Sequence, residues 1–171
     1  MELSYYANLA EILGTAAIVV SLIYVAVQIR QSTRATKLTT AQNVTHDLRE
    51  SLGIIAGSTE MASIHLRAMQ DIESLSPEEK HRFYIWLNNN YRMYENAYYQ
   101  NKHGALDAYI WKGVVANLTI AKGTSGYEAF WRDRGNIFGK EFQEYYENEV
   151  PQSEVKAHEP YQSSSDQSPS D

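Results

Sequence analysis

The residues best suited to chemistry form a polar cluster on a predicted helix that is rich in tyrosine. Four side chains at helical spacing make up this cluster: Arg92, Glu95, Asn96 and Gln100. Glu95 falls beside the face that carries Tyr94, and a carboxylate among aromatic rings can have a raised pKa and act as an acid or a base. The structural alternative is an ion pair between Glu95 and Arg132 or Arg134 that holds two helices in register. A glutamate in such surroundings more often forms a structural ion pair than a catalytic site.

A second acidic residue, Glu11, lies at the start of a long apolar segment near the N-terminus. It falls one helical turn inside the predicted outer end of a membrane span, where a carboxylate is tolerated if it reaches the interface. We interpret it first as an interfacial charge. The alternative is a ring of Glu11 side chains in an oligomer, which would mark an ion path.

No other pattern in the sequence indicates catalysis. The histidines, at positions 46, 65, 81, 103 and 158, lack the spacing of a metal-binding helix, and there is no phosphate-binding loop or nucleophile elbow. Cysteine is absent, which excludes disulfides and cysteine nucleophiles. Residues 30–150 carry 14 Lys and Arg against 15 Asp and Glu, so they lack the basic field that nucleic acid requires. The sequence therefore predicts no enzyme, no cofactor, no metal and no nucleic-acid partner.

The apolar segment itself predicts a membrane span. From Ile12 to Ile29 there are eighteen residues without a charge, and ten of them are Ile, Leu or Val. The helix from Leu9 to Ile29 would rise about 32 Å, close to the thickness of the hydrocarbon core of a bilayer. The alternatives are the buried helix of a soluble bundle, a cleaved signal peptide and an amphipathic helix in the membrane plane. The segment lacks the basic start of a signal peptide, and it lacks the charged face of an amphipathic helix in the membrane plane.

The charges beside this span predict its orientation. No Lys or Arg precedes it, whereas Arg30, Arg34 and Lys37 follow it. The positive-inside rule therefore puts the C-terminal side in the cytoplasm after a single pass. One face of the span also carries small residues, which let helices approach closely in lipid and predict self-association. The members of this small-residue face are Ala7, Ala10, Gly14, Ala17 and Ser21.

The chain after the span has helical periodicity throughout. No Pro or Gly occurs from Arg30 to Leu52, which predicts that the span continues as a helix. An apolar stripe for packing against later helices is predicted on it: Leu38, Ala41, Thr45, Leu48, Leu52 and Ile55. Ser58 predicts a helix N-cap, and the run from Ser76 to Glu79 predicts a capping box at the start of the next helix.

The helix from Pro77 to His103 is predicted to form the aromatic centre of the domain. Its inward side is predicted to consist of Phe83, Leu87, Tyr91, Tyr94 and Tyr98, widened by Ile85, Trp86 and Met93. Further helices are predicted from about Leu106 to Ala121, from a cap at Ser125, and around Phe142 and Tyr146. No stretch alternates with period two. The predicted fold is therefore all-α, with a single N-terminal transmembrane helix that continues into a small cytoplasmic helical bundle.

These elements predict a division of the chain into three parts. The first, residues 1–29, is a short N-terminus with the transmembrane helix, and the second, residues 30–150, is the helical cytoplasmic domain. Residues 151–171 hold three of the four prolines and six serines, so they are too polar to form a core. They are predicted to be a disordered polar tail.

Two motifs resemble those of a known group of proteins. The first is LAEILGTAAIVVSLIYVAVQIRQSTRA, at residues 9–35, and the second is YENAYYQ, at residues 94–100. The second motif is followed by Gly104, Leu106, Asp107, Trp111, Trp131, Arg134, Phe138, Glu141 and Phe142. Together they resemble a widespread family of small uncharacterised proteobacterial proteins with one N-terminal transmembrane helix and a helical cytoplasmic domain. The resemblance covers most of residues 7–146 and implies this architecture and a bacterial origin, but no reaction.

The leading functional prediction is a membrane-anchored protein-interaction or self-assembly module at the bacterial inner membrane. Its predicted partners are the lipid bilayer and either further copies of the chain or another membrane or cytoplasmic protein. Two alternatives belong to other classes. One is an oligomeric pore or transport accessory that uses Glu11, and the other is a ligand sensor or enzyme with a site around Tyr94 and Glu95.

Overall fold

The computed structural model of the chain describes the backbone of residues 2–152, with the side chains of residues 6, 8 and 10–152. This part of the chain forms six α-helices and two short 3-10 turns, without a β-strand. The helices are α1 (Glu2–Ala56), α2 (Thr59–Gln70), α3 (Pro77–Lys102), α4 (Ala108–Ala121), α5 (Ser125–Arg134) and α6 (Lys140–Asn148). The all-α fold class is confirmed, as is the long apolar N-terminal helix that precedes a helical domain.

The described chain divides into two compact units, and the division falls between Thr39 and Thr40 inside α1. This division falls here because α1 stays exposed through Thr39, and its contacts with the hydrophobic core involve Ala41 and residues beyond it. The predicted end of the membrane span after Ile29 is a different boundary and stays a prediction. Of the predicted tail, 153–171 lies outside the described residues.

The core of the second unit is built around the aromatic side of α3, as the sequence predicts. Phe83, Leu87 and Tyr91 are fully buried. Six aromatic rings surround Tyr91 at centroid distances of 5.2–6.4 Å: Tyr94, Tyr127, Phe130, Trp131, Phe138 and Tyr146. The prediction for Ile85 is wrong, because this residue is 52% exposed. Ile85 is two positions after Phe83, which corresponds to about 200° around the helix. Its side chain therefore lies on the opposite side.

The predicted apolar stripe on α1 is correct in part. At one place the buried residue lies one position before the predicted one. Ala41, Leu48 and Ile55 pack against the core, but Leu38 and Leu52 are more than half exposed. Val44, which is not part of the predicted stripe, is buried, and the predicted Thr45 beside it is exposed. The three- and four-residue steps of a helix allow both choices at this position, so periodicity alone does not decide between them.

The helix starts follow the predicted capping chemistry with one exception. Ser76 Oγ accepts from the Glu79 N–H at 3.2 Å, and Glu79 Oε2 accepts from the Ser76 N–H at 2.9 Å, which completes the capping box. Ser58 caps α2 as predicted. Ser125 does not cap α5, because the N-cap is Thr124. The Ser125 hydroxyl instead accepts from the Ile72 N–H at 3.0 Å and links two segments of the domain.

Candidate functional site

The structure brings two members of the predicted polar cluster together, Arg92 and Glu95. Arg92 Nη1 and Glu95 Oε2 are 2.8 Å apart. The other carboxylate oxygen, Oε1, accepts from the Gly139 N–H at 2.6 Å, and Arg92 Nη2 donates to the Ile137 carbonyl at 3.1 Å. Both side chains therefore hold the segment between α5 and α6 against α3.

The ion pair predicted between Glu95 and Arg132 or Arg134 is not formed, since Glu95 pairs with Arg92 instead. Arg132 pairs with Asp133, its neighbour in sequence. Contact with the α5–α6 segment is made through backbone groups, which the sequence pattern does not encode. Both Glu95 oxygens are engaged by protein groups, so the geometry favours the structural interpretation of this residue over acid–base chemistry.

The other two members of the predicted cluster differ in their surroundings. Asn96 is exposed and lines a groove of about 390 Å³ between α1 and α3, together with Arg92 of the ion pair and Glu50. Gln100 is half-buried, and its carbonyl accepts from the N–H groups of Ala105 and Leu106 where the chain turns after α3. The cluster is therefore divided between different surroundings.

A cavity that the sequence did not predict lies between the C-terminal part of α1 and helices α2 to α5. Its volume is about 540 Å³, within the usual range for small-molecule sites. Its walls are mostly aliphatic: Leu48, Leu52, Ile55, Ala56, Ala62, Leu66, Met69, Ile120 and Ala121. Its remaining lining side chains are aromatic or polar: His65, Trp86, Asn90, Tyr94, Asn117 and Tyr127.

Three of the residues that bring polar groups to this cavity are buried. Asn90 is 4% exposed, Tyr94 is 6% exposed and Tyr127 is 7% exposed. The Asn90 amide is held by Ser51 Oγ and by the Trp86 carbonyl, to which Asn90 Nδ2 donates at 3.0 Å. No described group forms a hydrogen bond with the Tyr94 hydroxyl. A buried hydroxyl without a partner is uncommon in folded proteins and requires an explanation.

His65 lies in the wall of the cavity among aromatic rings. Its ring centroid is 5.2 Å from that of Trp86 and 6.2 Å from that of Phe83, both with edge-to-face geometry. Its Nε2 is 3.4 Å from the Tyr127 hydroxyl. Burial lowers the pKa of His65 to about 4, because the apolar surroundings disfavour the imidazolium. At neutral pH the imidazole is therefore uncharged.

The lowered pKa of His65 predicts a loss of stability in acid. The unfolded chain takes up a proton at His65 near pH 6.5, whereas the folded chain does so only near pH 4. The free energy of unfolding is therefore expected to fall as the pH is lowered through this window, by at most about 3 kcal/mol. Urea unfolding of the full chain in phosphatidylcholine vesicles, followed by tryptophan fluorescence, measures this slope.

The matched control for this prediction is His65→Gln, which removes the titrating group. The carboxyls whose pKa is lowered by partners, such as Asp133 beside Tyr84, titrate in both proteins. The difference between the two slopes therefore isolates His65. Equal slopes between pH 6.5 and 4.5 would contradict the prediction.

A signal for two of the cavity residues was present in the sequence. Asn90 lies four positions before Tyr94 and thus on the same, buried side of α3, where a polar residue is uncommon. His65 stands between the apolar residues Ile64 and Leu66 of a short helix. Tyr127 carried no such signal, because its contact with His65 joins residues that are 62 positions apart. Within the described residues no group of three or more His, Asp or Glu side chains could hold a metal ion.

The second candidate site is the apolar N-terminal part of α1. Every described residue from Ala10 to Thr39 is exposed, and an eighteen-residue window of this helix has a mean hydropathy of 2.3. The helix is thus long and apolar enough to cross a membrane. The hydroxyls of Thr15 and Ser21 donate to the carbonyls four residues earlier, each at 2.8 Å, so neither presents an unpaired donor.

The predicted small-residue face lies on this exposed part of α1. Ala10, Gly14, Ala17 and Ser21 are exposed, and a Cβ added at Gly14 would have no heavy atom within 4 Å. The side chain of Ala7 lies outside the described residues. Glu11 is exposed one position after Ala10. The described residues of this face are therefore not covered by any other described part of the protein.

Comparison with known proteins adds no relative to these observations: no protein-family model, no curated protein and no solved structure matches the chain. The resemblance to the proteobacterial family stays a prediction.

Proposed function

We propose that this chain is a membrane-anchored protein whose helical domain is a binding module for a small, largely apolar ligand. The observation that carries the proposal is the cavity of about 540 Å³, whose lining includes the buried hydroxyl of Tyr94, which has no hydrogen-bond partner among the described residues. Buried hydroxyls in folded proteins are nearly always hydrogen-bonded, and that of Tyr94 has no partner among the described residues. A molecule bound in this open-sided cavity would supply one.

The lining supports binding and gives no support to catalysis. Pockets for small molecules are mostly apolar with a few polar groups that fix the orientation of the ligand, and the cavity has this composition. Burial raises the pKa of Tyr94 and of Tyr127, so both hydroxyls stay protonated at neutral pH and act as hydrogen-bond donors. Glu95, the acid–base candidate from the sequence, lines no part of this cavity. These features support recognition as the proposed function.

The anchor in this proposal is the N-terminal part of α1, with the lipid bilayer as its partner. Ten Ile, Leu and Val residues between Ile12 and Ile29 favour insertion by roughly 3 to 6 kcal/mol in total. The cations at Arg30, Arg34 and Lys37 favour a cytoplasmic location for the domain, in a single pass through a bacterial inner membrane. A fluorescent protein fused to the C-terminus should then be bright, whereas periplasmic alkaline phosphatase fused there should be inactive.

A second candidate function is self-assembly through the small-residue face of α1. Its four described members are exposed along one side of the helix, and the surroundings of Gly14 are open. Small residues in this arrangement allow close helix–helix packing in lipid. Crosslinking in native membranes should give a discrete dimer or higher oligomer of the chain, and a chain that is monomeric or crosslinked only to other proteins would contradict this candidate. The pore hypothesis based on Glu11 stays a prediction.

The binding function is tested by filling the cavity. Ala62 lines it from α2, so Ala62→Phe is expected to occupy the space with a ring. The full chain is reconstituted in phosphatidylcholine vesicles with a photoactivatable, diazirine-bearing dodecanol. After irradiation, peptides labelled within α2, α3 and α5 are counted by mass spectrometry. The wild-type chain should be labelled in these peptides and Ala62→Phe should not.

The same chain supplies both controls for this experiment. Ala108→Phe adds the same ring at an exposed position of α4 that does not line the cavity, so it should leave the labelling unchanged. Labelling of the peptide from Leu9 to Ile29 reports the probe dissolved in lipid and should be equal in all three proteins. Equal cavity labelling in wild type and Ala62→Phe would overturn the binding function.

A further inference from the structure

Within the described part of the chain, the lining of the cavity carries no charged side chain at neutral pH. Of the fifteen described lining residues, none is Asp, Glu, Lys or Arg. Among these fifteen, His65 alone has an ordinary pKa near neutrality, and burial lowers its pKa to about 4. An ion in such surroundings would lose its hydration without gaining a counter-charge, which is strongly unfavourable. A charged group of a ligand is therefore excluded from the buried part of the cavity.

Two hydrogen-bonding residues of the cavity are nearly inaccessible and define its bottom, whereas two apolar lining residues are about half exposed and define its mouth. Tyr94 and Asn90 are nearly inaccessible, whereas Leu52 is 51% exposed and Ile120 is 53% exposed. The Tyr94 hydroxyl has no partner in the described part of the chain. Asn90 Nδ2 carries two hydrogens, and its one acceptor among the described residues is the Trp86 carbonyl. The bottom can therefore donate to an oxygen atom of a ligand.

A groove leads away from the mouth between α1 and α4. Its volume is about 410 Å³, and it shares the lining residues Leu48 and Asn117 with the cavity. Apart from Lys112, which is exposed, its lining is uncharged. Along α1 the two spaces together extend from Val44 to Ala56, which corresponds to about 18 Å of helix. This shape fits an extended chain better than a compact ring system.

We propose that the ligand is an uncharged single-chain amphiphile, such as a fatty alcohol or a neutral ester. Its oxygen accepts a hydrogen bond from the Tyr94 hydroxyl at the bottom of the cavity. Its alkyl chain passes between Leu52 and Ile120 and follows the groove between α1 and α4. This inference rests on the proposed binding function and adds the chemical class and the direction of the ligand.

The class of the ligand is tested with probes that share one chain length. Diazirine-bearing dodecanol is compared with the sulfonate and the trimethylammonium analogues, with the full chain in phosphatidylcholine vesicles. Labelling of cavity peptides, divided by labelling of the peptide from Leu9 to Ile29, corrects for the amount of each probe in lipid. The alcohol should label the cavity at least about tenfold more than either ion, because each ion would be buried without a partner.

The polar contact is tested with Tyr94→Phe, which removes a hydroxyl that has no described partner and therefore leaves no group unsatisfied. This variant should unfold at the same or a higher urea concentration than wild type and lose dodecanol labelling roughly three- to tenfold, the contribution of one neutral hydrogen bond. Tyr99→Phe makes the same change at a 57% exposed position of α3 and should have no effect. Unchanged labelling of Tyr94→Phe would overturn the contact.

The direction of the ligand is tested by moving the diazirine along the chain. A diazirine beside the hydroxyl should label the peptides of α3 and α5, and one at the far end should label those of α1 and α4. The reverse pattern would overturn the direction. Strong labelling by the trimethylammonium or sulfonate probe would overturn the class while the binding function stands, and absence of cavity labelling by every probe would overturn the binding function itself.

Discussion

Replacing Tyr91 by alanine is expected to lower the free energy of unfolding of the domain by about 3–5 kcal/mol. Tyr91 is fully buried at the centre of six aromatic rings, and the nearest, that of Trp131, is 5.2 Å away between centroids. Truncation leaves a cavity that the surrounding rings cannot close, because they belong to three different helices and the segment between two of them. It also removes the hydroxyl that donates to Tyr146 at 2.8 Å.

The hydroxyl and the ring of Tyr91 are separated by a second variant. Tyr91→Phe keeps the ring and should cost about 1–2 kcal/mol, because Tyr146, which is 3% exposed, then loses its donor. Tyr109→Ala is the matched control for the truncation, since this tyrosine is 82% exposed and should change stability by less than about 0.5 kcal/mol. Urea titration of the full chain in vesicles measures all three. A loss below 1 kcal/mol for Tyr91→Ala would contradict the central position of this ring.

Two arginines in the middle of the apolar segment are expected to abolish membrane insertion. Val20→Arg with Ile23→Arg adds about 5–7 kcal/mol to the free energy of insertion and removes two favourable contributions. The whole segment favours insertion by only roughly 3 to 6 kcal/mol, so the sum becomes unfavourable. The double variant should leave the carbonate-washed membrane fraction, in which the wild-type chain should remain.

Val20→Leu with Ile23→Leu is the control, because it changes the same two positions and keeps the segment apolar. It should stay in the membrane fraction. The circular dichroism of the released arginine variant should retain the helical signal of the domain, because Val20 and Ile23 belong to the first compact unit. An arginine variant that remained membrane-bound after carbonate treatment would refute the anchor.

These predictions concern separate units of the chain, and their outcomes are independent. The double arginine variant tests whether the protein resides in the membrane. Tyr91→Ala tests the core that holds α3, the helix that carries Asn90 and Tyr94. The pH dependence of His65 tests the apolar character of the cavity wall. If the pH dependence of His65 persisted in the arginine variant that does not insert into the membrane, the cavity would be formed by the domain alone.

The sequence by itself determined the features that depend on neighbouring residues. The capping box at Ser76, the long apolar segment and the aromatic side of α3 follow from short-range spacing, because a helix repeats every 3.6 residues and its ends require specific side chains. The all-α fold followed from the same periodicity. The burial of Val44 in place of Thr45 marks the limit of this information, since both positions satisfy the period.

Only the tertiary structure decided which distant groups meet. Glu95 binds the backbone of Gly139, 44 positions away, and His65 meets Tyr127 across 62 positions. Periodicity gives the side of a helix that is buried but not the helix it packs against, and backbone partners leave no trace in residue type. A cavity arises from the imperfect fit of five helices, which depends on their mutual angles and not on the pattern of any one of them.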